Sequence, residues 1–131
     1  MSKSLTIQTL ADGQKNCAVK ITGYAVGNMD WVPVVALDRF QGNHGKVKVD
    51  HIEWAITSGI EVFLAWEALE GGHELIVPLG GRGQINFSDY GGLSNISEGK
   101  SGHIVLMIQI LGSVVPKSVQ GFTIFLDMQK Q

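Results

Sequence analysis

Apolar and polar residues alternate with a period of two along several short stretches of the chain. The alternation is clearest at 5–9, 18–22, 104–110 and 122–128. Successive side chains of a β-strand point to opposite faces of its sheet, so this pattern predicts strands with one buried face. Gly, Asn, Asp and Pro separate the stretches at intervals of roughly 8 to 12 residues, as turns do in antiparallel β-proteins. The pattern therefore predicts about eight antiparallel strands that form a sandwich or barrel.

Two neighbouring stretches depart from simple alternation. Within 46–56 the apolar positions change phase near His51, which indicates a β-bulge or a turn between two short strands. The stretch 60–69 contains good helix formers as well as β-branched and aromatic residues, so its period alone fits a helix or a strand. The β-branched and aromatic residues in its first half favour a strand. A hairpin at 57–59 is predicted to join the two stretches.

Proline and tryptophan refine the predicted positions of three strands. Pro33 lies in the stretch 31–37, and because proline donates no backbone hydrogen bond, this stretch is predicted to be an edge strand. Trp54 and Trp66 fall on apolar faces and are predicted to lie in the core. Trp31 has polar and proline neighbours and is predicted to be the most exposed of the three tryptophans.

The composition indicates one soluble domain over residues 1–131. Hydrophobic residues make up 44% of the chain and charged residues only 17%, below the fraction of about a quarter that is usual in globular domains. A net charge of −2 provides no basic field, so neither nucleic acid nor a membrane is expected as a partner. The single cysteine excludes an internal disulfide and a multi-cysteine zinc site. The N-terminal residues lack the apolar core of a signal peptide, so synthesis in the cytoplasm is expected.

The letters Gly-Lys-Ser at 99–101 are also those that end a phosphate-binding loop. Such a loop needs a glycine five residues before Gly99 and a helix after it. The chain has Ser94 at that position, and the residues after 101 alternate as in a strand. Without a helix N-terminus, no aligned set of N–H groups is available to hold a phosphate. A polar loop before a strand is predicted instead.

Two pairs of residues have the spacing of metal-binding or acid–base groups. His51 and Glu53 match the spacing of zinc deaminases, which also need a Pro-Cys-x-x-Cys sequence that this chain lacks. Glu70 and His73 match the spacing found on di-iron helices, but two glycines lie between them. The first pair is predicted to be a polar pair on a strand surface and the second to be a hairpin tip. No catalytic residue, metal or cofactor is predicted, and an enzyme with a metal site built from separated histidines stays an alternative.

The stretch 81–93 has a distinctive order of glycines. It reads Gly-Arg-Gly, then an apolar–polar alternation into Phe87, then Gly-Gly-Leu, and Gly-Lys-Ser-Gly follows at 99–102 before a strand. A strand pair rich in Trp and Ile precedes it at 52–66. Over roughly residues 46–111 the chain thereby resembles small virion proteins of tailed bacteriophages.

This resemblance implies a non-enzymatic structural component of the particle, most specifically a capsid decoration (cement) protein with a jelly-roll-like, antiparallel two-sheet β-sandwich fold. The expected partners are the major capsid protein and further copies of the chain, as a dimer or a trimer. The expected location is the capsid surface of a virion that is made in the bacterial cytoplasm. Two alternatives stay open: another virion component from the neck, tail or head fibre, and a carbohydrate-binding module that recognises the host.

Five residues are predicted to contact protein partners. Trp31, Arg82, Asp89 and Tyr90 are placed near turns, and Trp, Tyr and Arg dominate the hot spots of protein interfaces. Met107 is added because its strand is apolar on both faces, as in a strand that is central in the fold or covered by another subunit. A charge at Met107 is expected to leave a soluble monomer if that face is an interface, and to unfold the protein if it is core.

Overall fold

The computed structural model describes residues 5–25, 29–35, 47–57, 59–68, 73–94, 100–110 and 120–130. This part of the chain is almost entirely β-structure, with ten strands, one 3₁₀ turn and no α-helix. The strands are β1 (Leu5–Asp12), β2 (Asn16–Ala25), β3 (Met29–Val35), β4 (Val47–Ile56), β5 (Ile60–Ala68), β6 (Glu74–Leu79), β7 (Arg82–Asn86), β8 (Leu93–Ser94), β9 (Lys100–Ile110) and β10 (Gln120–Lys130), and the 3₁₀ turn spans Ser88–Tyr90.

The strands form two antiparallel sheets. The first sheet has the order β1-β2-β10-β4-β7, with β8 also paired to β4, and the second has the order β3-β9-β5-β6. Side chains from the inner faces of both sheets form one hydrophobic core. The predicted all-β, antiparallel two-sheet sandwich is therefore confirmed.

The strand pairs are nested along the chain. The innermost pair is β5 with β6, and outside it lie the pairs of β4 with β7, β3 with β9, and β2 with β10. From β2 to β5 each strand lies in the sheet opposite to the one before it. Most neighbours within a sheet are thus distant in sequence, and the fold depends on non-local pairing.

The predicted hairpin at 57–59 is wrong, because β4 and β5 lie in different sheets. At the end of β4, the Thr57 N–H donates to the Gly121 carbonyl at 3.0 Å, and the Gly121 N–H donates to Thr57 Oγ1 at 3.1 Å. Ile56 and Ile60 are both buried, one in each sheet. A crossing between two facing sheets buries the same alternating residues as a hairpin does, so the pattern alone did not distinguish them.

The inner faces of the central strands form the middle of the core. Ile21 of β2 and Ile124 of β10 are cross-strand partners in the first sheet, and Leu64 of β5 and Leu106 of β9 are partners in the second. All four side chains are fully buried. Burying a side chain of this size contributes roughly 1.5–3 kcal/mol relative to leaving it exposed, so these rows hold the two sheets together.

Three local predictions are confirmed. Residues 47–56 form the single strand β4, and its register with β10 shifts between Asp127 and Met128, which is the expected bulge near His51. The ambiguous stretch 60–69 forms strand β5 over Ile60–Ala68. Strand β3, which contains Pro33, lies at an edge of the second sheet.

The ends of several strands differ from the predicted ones. Strand β7 spans Arg82–Asn86, so the last two residues of the Gly-Arg-Gly sequence already belong to a strand. Strand β1 continues to Asp12, and the turn that follows is closed by a hydrogen bond from the Gly13 N–H to the Asn16 carbonyl at 2.8 Å. The turn is tied to the C-terminal strand, because the buried Lys130 ammonium contacts the Asp12 carboxylate and donates to the Gly13 carbonyl at 2.6 Å.

Candidate functional site

The structure separates the five predicted contact residues into two groups. Arg82 begins β7 at one edge of the first sheet, and Asp89 and Tyr90 belong to the 3₁₀ turn that follows this strand. Trp31 lies on β3 and Met107 on β9, which are neighbours in the second sheet. The residues at 82–90 therefore belong to the first sheet and its edge, whereas Trp31 and Met107 belong to the second sheet.

Tyr90 lies on a sharply defined turn, here called the tyrosine turn (residues 87–93). Its side chain is 86% exposed, more than any other large apolar side chain in the described part of the chain. The Tyr90 and Gly92 N–H groups donate to the Phe87 carbonyl at 2.9 and 2.8 Å, and the Phe87 side chain packs against the core. An exposed aromatic ring is thus held by a backbone whose own hydrogen bonds are satisfied within the turn.

Both ends of the tyrosine turn are attached to β4. The Phe87 N–H donates to the Asp50 carbonyl at 2.7 Å, and Leu93 pairs with Val49. Gly92 has a φ of 88°, and a Cβ atom there would lie 2.9 Å from Asp50 Oδ1 and 2.9 Å from a Lys48 carbon. Only glycine combines the left-handed backbone with the absence of a side chain that this approach to β4 requires.

The glycines on both sides of Arg82 fix its position. Gly81 does so through its left-handed backbone, and Gly83 does so through its lack of a side chain. Gly81 has a φ of 62°, and its carbonyl accepts the Ile56 N–H at 2.7 Å. A Cβ atom at Gly83 would lie 2.6 Å from Trp54 Cζ2, because the indole packs directly over this residue. The indole N–H in turn donates to the Gly80 carbonyl at 3.0 Å. The Gly-Arg-Gly sequence therefore places Arg82 at the start of β7 beside Ala55 of β4.

Arg82 also lines a groove on the outer face of the first sheet. The groove has a volume of about 480 Å³, and its floor consists of small residues of β2, β10 and β4, including Thr22, Thr123 and Ala55. The strand registers place these three residues and Arg82 side by side in one row across the sheet. Arg82 is the one charged residue among those that line the groove.

The outer face of the second sheet is apolar in its middle, whereas the outward row on the first sheet carries two threonines. Ala65 of β5 and Val105 of β9 are cross-strand partners that lie outside the main core cluster, yet both are buried. Their neighbours Phe63 and Met107, which also face each other, are half-buried. The prediction that β9 is apolar on both faces is thus matched by burial on both faces.

Trp31 is half-buried rather than prominently exposed. Its ring meets the His73 imidazole edge-to-face, with centroids 5.3 Å apart and an angle of 76° between the planes. The His73 ring is fixed by the Ala68 N–H, which donates to Nδ1 at 2.9 Å. Since β3 and β6 are opposite edges of the second sheet, this contact joins one edge strand to the connection that precedes the other.

The catalytic motifs considered in the sequence form no catalytic arrangement in the described residues. His51 Nε2 lies 2.9 Å from Glu53 Oε1 on the outer face of β4, which is the predicted polar surface pair. Strand β9 begins at Lys100, so the strand predicted after residue 101 starts inside the predicted polar loop, and residues 95–99 and Glu70 lie outside the described residues. Among the described side chains, no group of three His, Cys, Asp or Glu residues could hold a metal ion.

The sequence analysis did not predict a buried polar cluster that lies where the turn between β1 and β2 meets the end of β10. Lys130 and Asp12 form the ion pair described above, and Cys17 is buried beside them. Burial raises the pKa of the Cys17 thiol to about 11, although the Lys130 charge acts to lower it. The alternation of β10 does place Lys130 on the buried face, but its partner lies 118 residues away in sequence.

Comparisons with known proteins assign no family to the chain. No protein-family model matches the sequence, no curated protein is detectably similar to it, and no solved structure matches it. Within the described ranges, no helix is long and apolar enough to cross a membrane. The similarity of 81–93 to phage virion proteins therefore stays a prediction.

Proposed function

We propose that this protein is a non-enzymatic structural component of a tailed-bacteriophage virion, a decoration protein that binds the outer surface of the major capsid protein shell and stabilises it. The proposal rests on the sequence resemblance over 46–111 and on one structural observation, the exposed Tyr90 side chain on a rigid turn. The turn belongs to the same stretch as the Gly-Arg-Gly and Gly-Gly-Leu sequences that carry the resemblance.

The tyrosine turn supports a role in protein contact for a physical reason. Tyrosine contributes a large contact area while losing the freedom of only two side-chain torsions, and it is enriched among interface hot spots. The hydrogen bonds of the turn and the position of Gly92 against β4 fix its backbone before any partner binds. A preorganised ring loses little entropy on binding. In this proposal Tyr90 enters a pocket of the capsid protein and Asp89 lies at the rim of the contact.

The outer face of the second sheet is the proposed contact between copies of the chain. Phe63 and Met107 form a half-buried apolar pair there, and Trp31 lies on the neighbouring edge strand. A dimer or trimer presents several tyrosine turns at once, so individually weak contacts with the capsid add through their effective concentration. Met107→Lys is expected to give a folded monomer, measured by light scattering. A variant that unfolds, or that keeps the oligomeric state of the wild type, contradicts this contact.

The nested strand pairs support the finer expectation of a jelly-roll-like fold. A jelly roll consists of eight strands in two facing sheets, and it is a recurrent architecture of viral capsid domains. The pairs β2–β10, β3–β9, β4–β7 and β5–β6 contribute eight strands to two facing sheets, which supports this expectation, and β1 extends the first sheet at its edge.

Co-sedimentation with empty capsids made of the major capsid protein tests the proposed function. The wild-type protein is expected to sediment with the capsids and to raise their resistance to heat and to low salt. Tyr90→Ala is expected to weaken binding by about thirtyfold or more, since hot-spot residues contribute about 2 kcal/mol or more. Tyr24→Ala is the matched control, because this tyrosine lies on the outer face of the first sheet. No binding by the wild type, or equal binding by the Tyr90 variant, contradicts the proposal.

A further inference from the structure

The outer face of the first sheet carries a groove that the proposed capsid contact does not use. We call it the threonine groove: a row of Thr22, Thr123 and Ala55 forms its floor, and Arg82 closes one end. A smaller depression of about 150 Å³ shares Thr123 and Ala55 with it and extends toward Phe125. The two parts form one continuous surface feature across strands β2, β10, β4 and β7.

Two exposed aromatic side chains stand on either side of the threonine row. Tyr24 lies two residues beyond Thr22 on β2, and Phe125 lies two residues beyond Thr123 on β10, in the opposite direction along the sheet. Each is therefore roughly 7 Å from the row along its own strand. Tyr24 is 42% exposed and Phe125 is 37% exposed. The floor row consists of short side chains, two of which carry a hydroxyl group, and one aromatic residue lies on either side of it.

The charges around the groove favour an anionic ligand. Arg82 is the one charged residue lining the larger part, and a guanidinium can hold a carboxylate through two parallel hydrogen bonds. Glu53 lines the smaller part and lies 2.9 Å from His51 Nε2, so its negative charge lies at the level of Phe125 and not at the level of Arg82. Phe125 of β10 pairs with Lys20 of β2 on one side and with Glu53 of β4 on the other. Lys20 therefore adds a second cation next to Phe125.

The floor of the groove offers hydroxyl groups and no free strand edge. Strands β2, β10 and β4 each have a paired neighbour on both sides, so a peptide cannot add to them as a further strand. Three threonines line the groove together with glycines and the apolar residues Ile56 and Phe122. Hydroxyls that both donate and accept, aromatic faces and one guanidinium instead suit a ligand that is itself rich in hydroxyls and carries a carboxylate.

We propose that the threonine groove binds an acidic oligosaccharide. Arg82 pairs with a sugar carboxylate, Thr22 and Thr123 exchange hydrogen bonds with sugar hydroxyls, and Tyr24 and Phe125 contact the apolar faces of the sugar rings. This activity goes beyond the proposed capsid contact, because the groove faces outward from the first sheet while the self-contact surface lies on the second. A decoration protein with this groove attaches the particle to acidic polysaccharides.

Titration of the isolated full-length protein with short oligogalacturonates, followed by NMR or calorimetry, tests the proposal. The acidic sugar is expected to bind about tenfold more tightly than neutral maltooligosaccharides of equal length, with chemical shift changes at Thr22, Thr123 and Arg82. Arg82→Gln is expected to lower the affinity about tenfold, because a hydrogen bond to a charged group is lost. Lys15→Gln, which removes the same charge from the exposed turn after β1, is the control and is expected to bind as the wild type does.

Aromatic substitutions give a second and independent measurement. Tyr24→Ala and Phe125→Ala are expected to weaken the acidic sugar several-fold, whereas Leu75→Ala, at an exposed apolar residue of the second sheet, leaves it unchanged. Oligoglutamate serves as the peptide probe. Absence of oligogalacturonate binding, equal binding by Arg82→Gln, or tighter binding of oligoglutamate overturns the proposal. None of these results bears on capsid co-sedimentation, which is measured without sugar.

Discussion

The outer faces of the two sheets differ more than their inner faces do. On the first sheet the outward row at Thr22 and Thr123 is polar and forms an open groove. On the second sheet the outward pair Ala65 and Val105 is buried. Both sheets are antiparallel and both contribute to one core, so the difference lies only in the side chains that point outward. The first sheet has an outer row that is open to water, whereas the central outward residues of the second sheet are buried.

This difference indicates which surface suits which kind of ligand. A face with hydroxyl groups, cationic side chains and exposed rings binds small hydroxyl-rich ligands well, and its exposure requires no partner. An apolar face is stable in water only when it is covered, by the protein itself or by another protein. The following predictions test the contrast between the two faces, from the largest expected effect to the smallest.

The same substitution at equivalent alanines tests the contrast most strongly. Ala65→Asp places a charge at a buried position on the outer face of the second sheet, and we expect it to lower the free energy of unfolding by about 4 kcal/mol or to prevent folding. Ala55→Asp, at an exposed position beside Arg82, is expected to cost less than about 1 kcal/mol. Urea denaturation of both variants measures this. Similar midpoints would show that the two faces are equally exposed.

Removing the buried cation tests how the first sheet is held at its far end. Lys130→Ala leaves the Asp12 carboxylate without this buried partner, and we expect a loss of about 3 kcal/mol in the free energy of unfolding. The double variant Asp12→Leu with Lys130→Met removes both charges and is expected to be more stable than Lys130→Ala. If the single variant is as stable as the wild type, the ion pair does not hold β10 to the β1–β2 turn.

Substitution of the turn glycines tests the rigidity of the tyrosine turn. Gly92→Ala introduces a Cβ atom into a backbone with positive φ and against Asp50 and Lys48, so we expect a loss of about 1–2 kcal/mol and weaker capsid binding. Gly80→Ala is the control, since no atom lies within 4 Å of its added Cβ. Thermal unfolding compares them. Equal melting temperatures contradict the account of a turn fixed against β4.

At neutral pH the smallest effect is that of the Cys17 ionisation, which appears only in alkali. Burial raises the pKa of its thiol to about 11, from an ordinary value of 9.0. In the unfolded chain the thiol therefore loses its proton first, so its contribution to stability is constant below about pH 9 and is lost as the pH rises toward 11. The difference in free energy of unfolding between the wild type and Cys17→Ala is expected to shrink over this interval. A difference that stays constant with pH indicates an exposed thiol.

The sequence predicts the strands well because their signal is local. Alternation located β9 and β10, the phase change near His51 located the bulge of β4, and Pro33 located an edge strand. Each of these features depends on residues within about ten positions of one another. The same local signal left the hairpin at 57–59 and a crossing between sheets indistinguishable.

The candidate surfaces depend on features that alternation does not contain. The threonine groove exists because non-local registers align Thr22 and Thr123 with Ala55, and its aromatic borders come from strands about 100 residues apart in sequence. Tyr90 was selected from its residue type and its neighbouring glycines, but its exposure follows from how the turn is attached to β4. The half-buried Trp31 ring contacts His73, which lies in the connection before β6, at the edge of the second sheet opposite to β3.

Hydroxyl-radical footprinting of the two tyrosines in the capsid-bound protein tests the central claim most directly. The chain contains two tyrosines. Tyr24 lies beside the threonine groove on the outer face of the first sheet, and Tyr90 lies on the tyrosine turn. On binding to capsids, oxidation of Tyr90 is expected to fall to a small fraction of its value in the free protein, while oxidation of Tyr24 stays unchanged. Unchanged oxidation of Tyr90 together with protection of Tyr24 would contradict a capsid contact through the tyrosine turn.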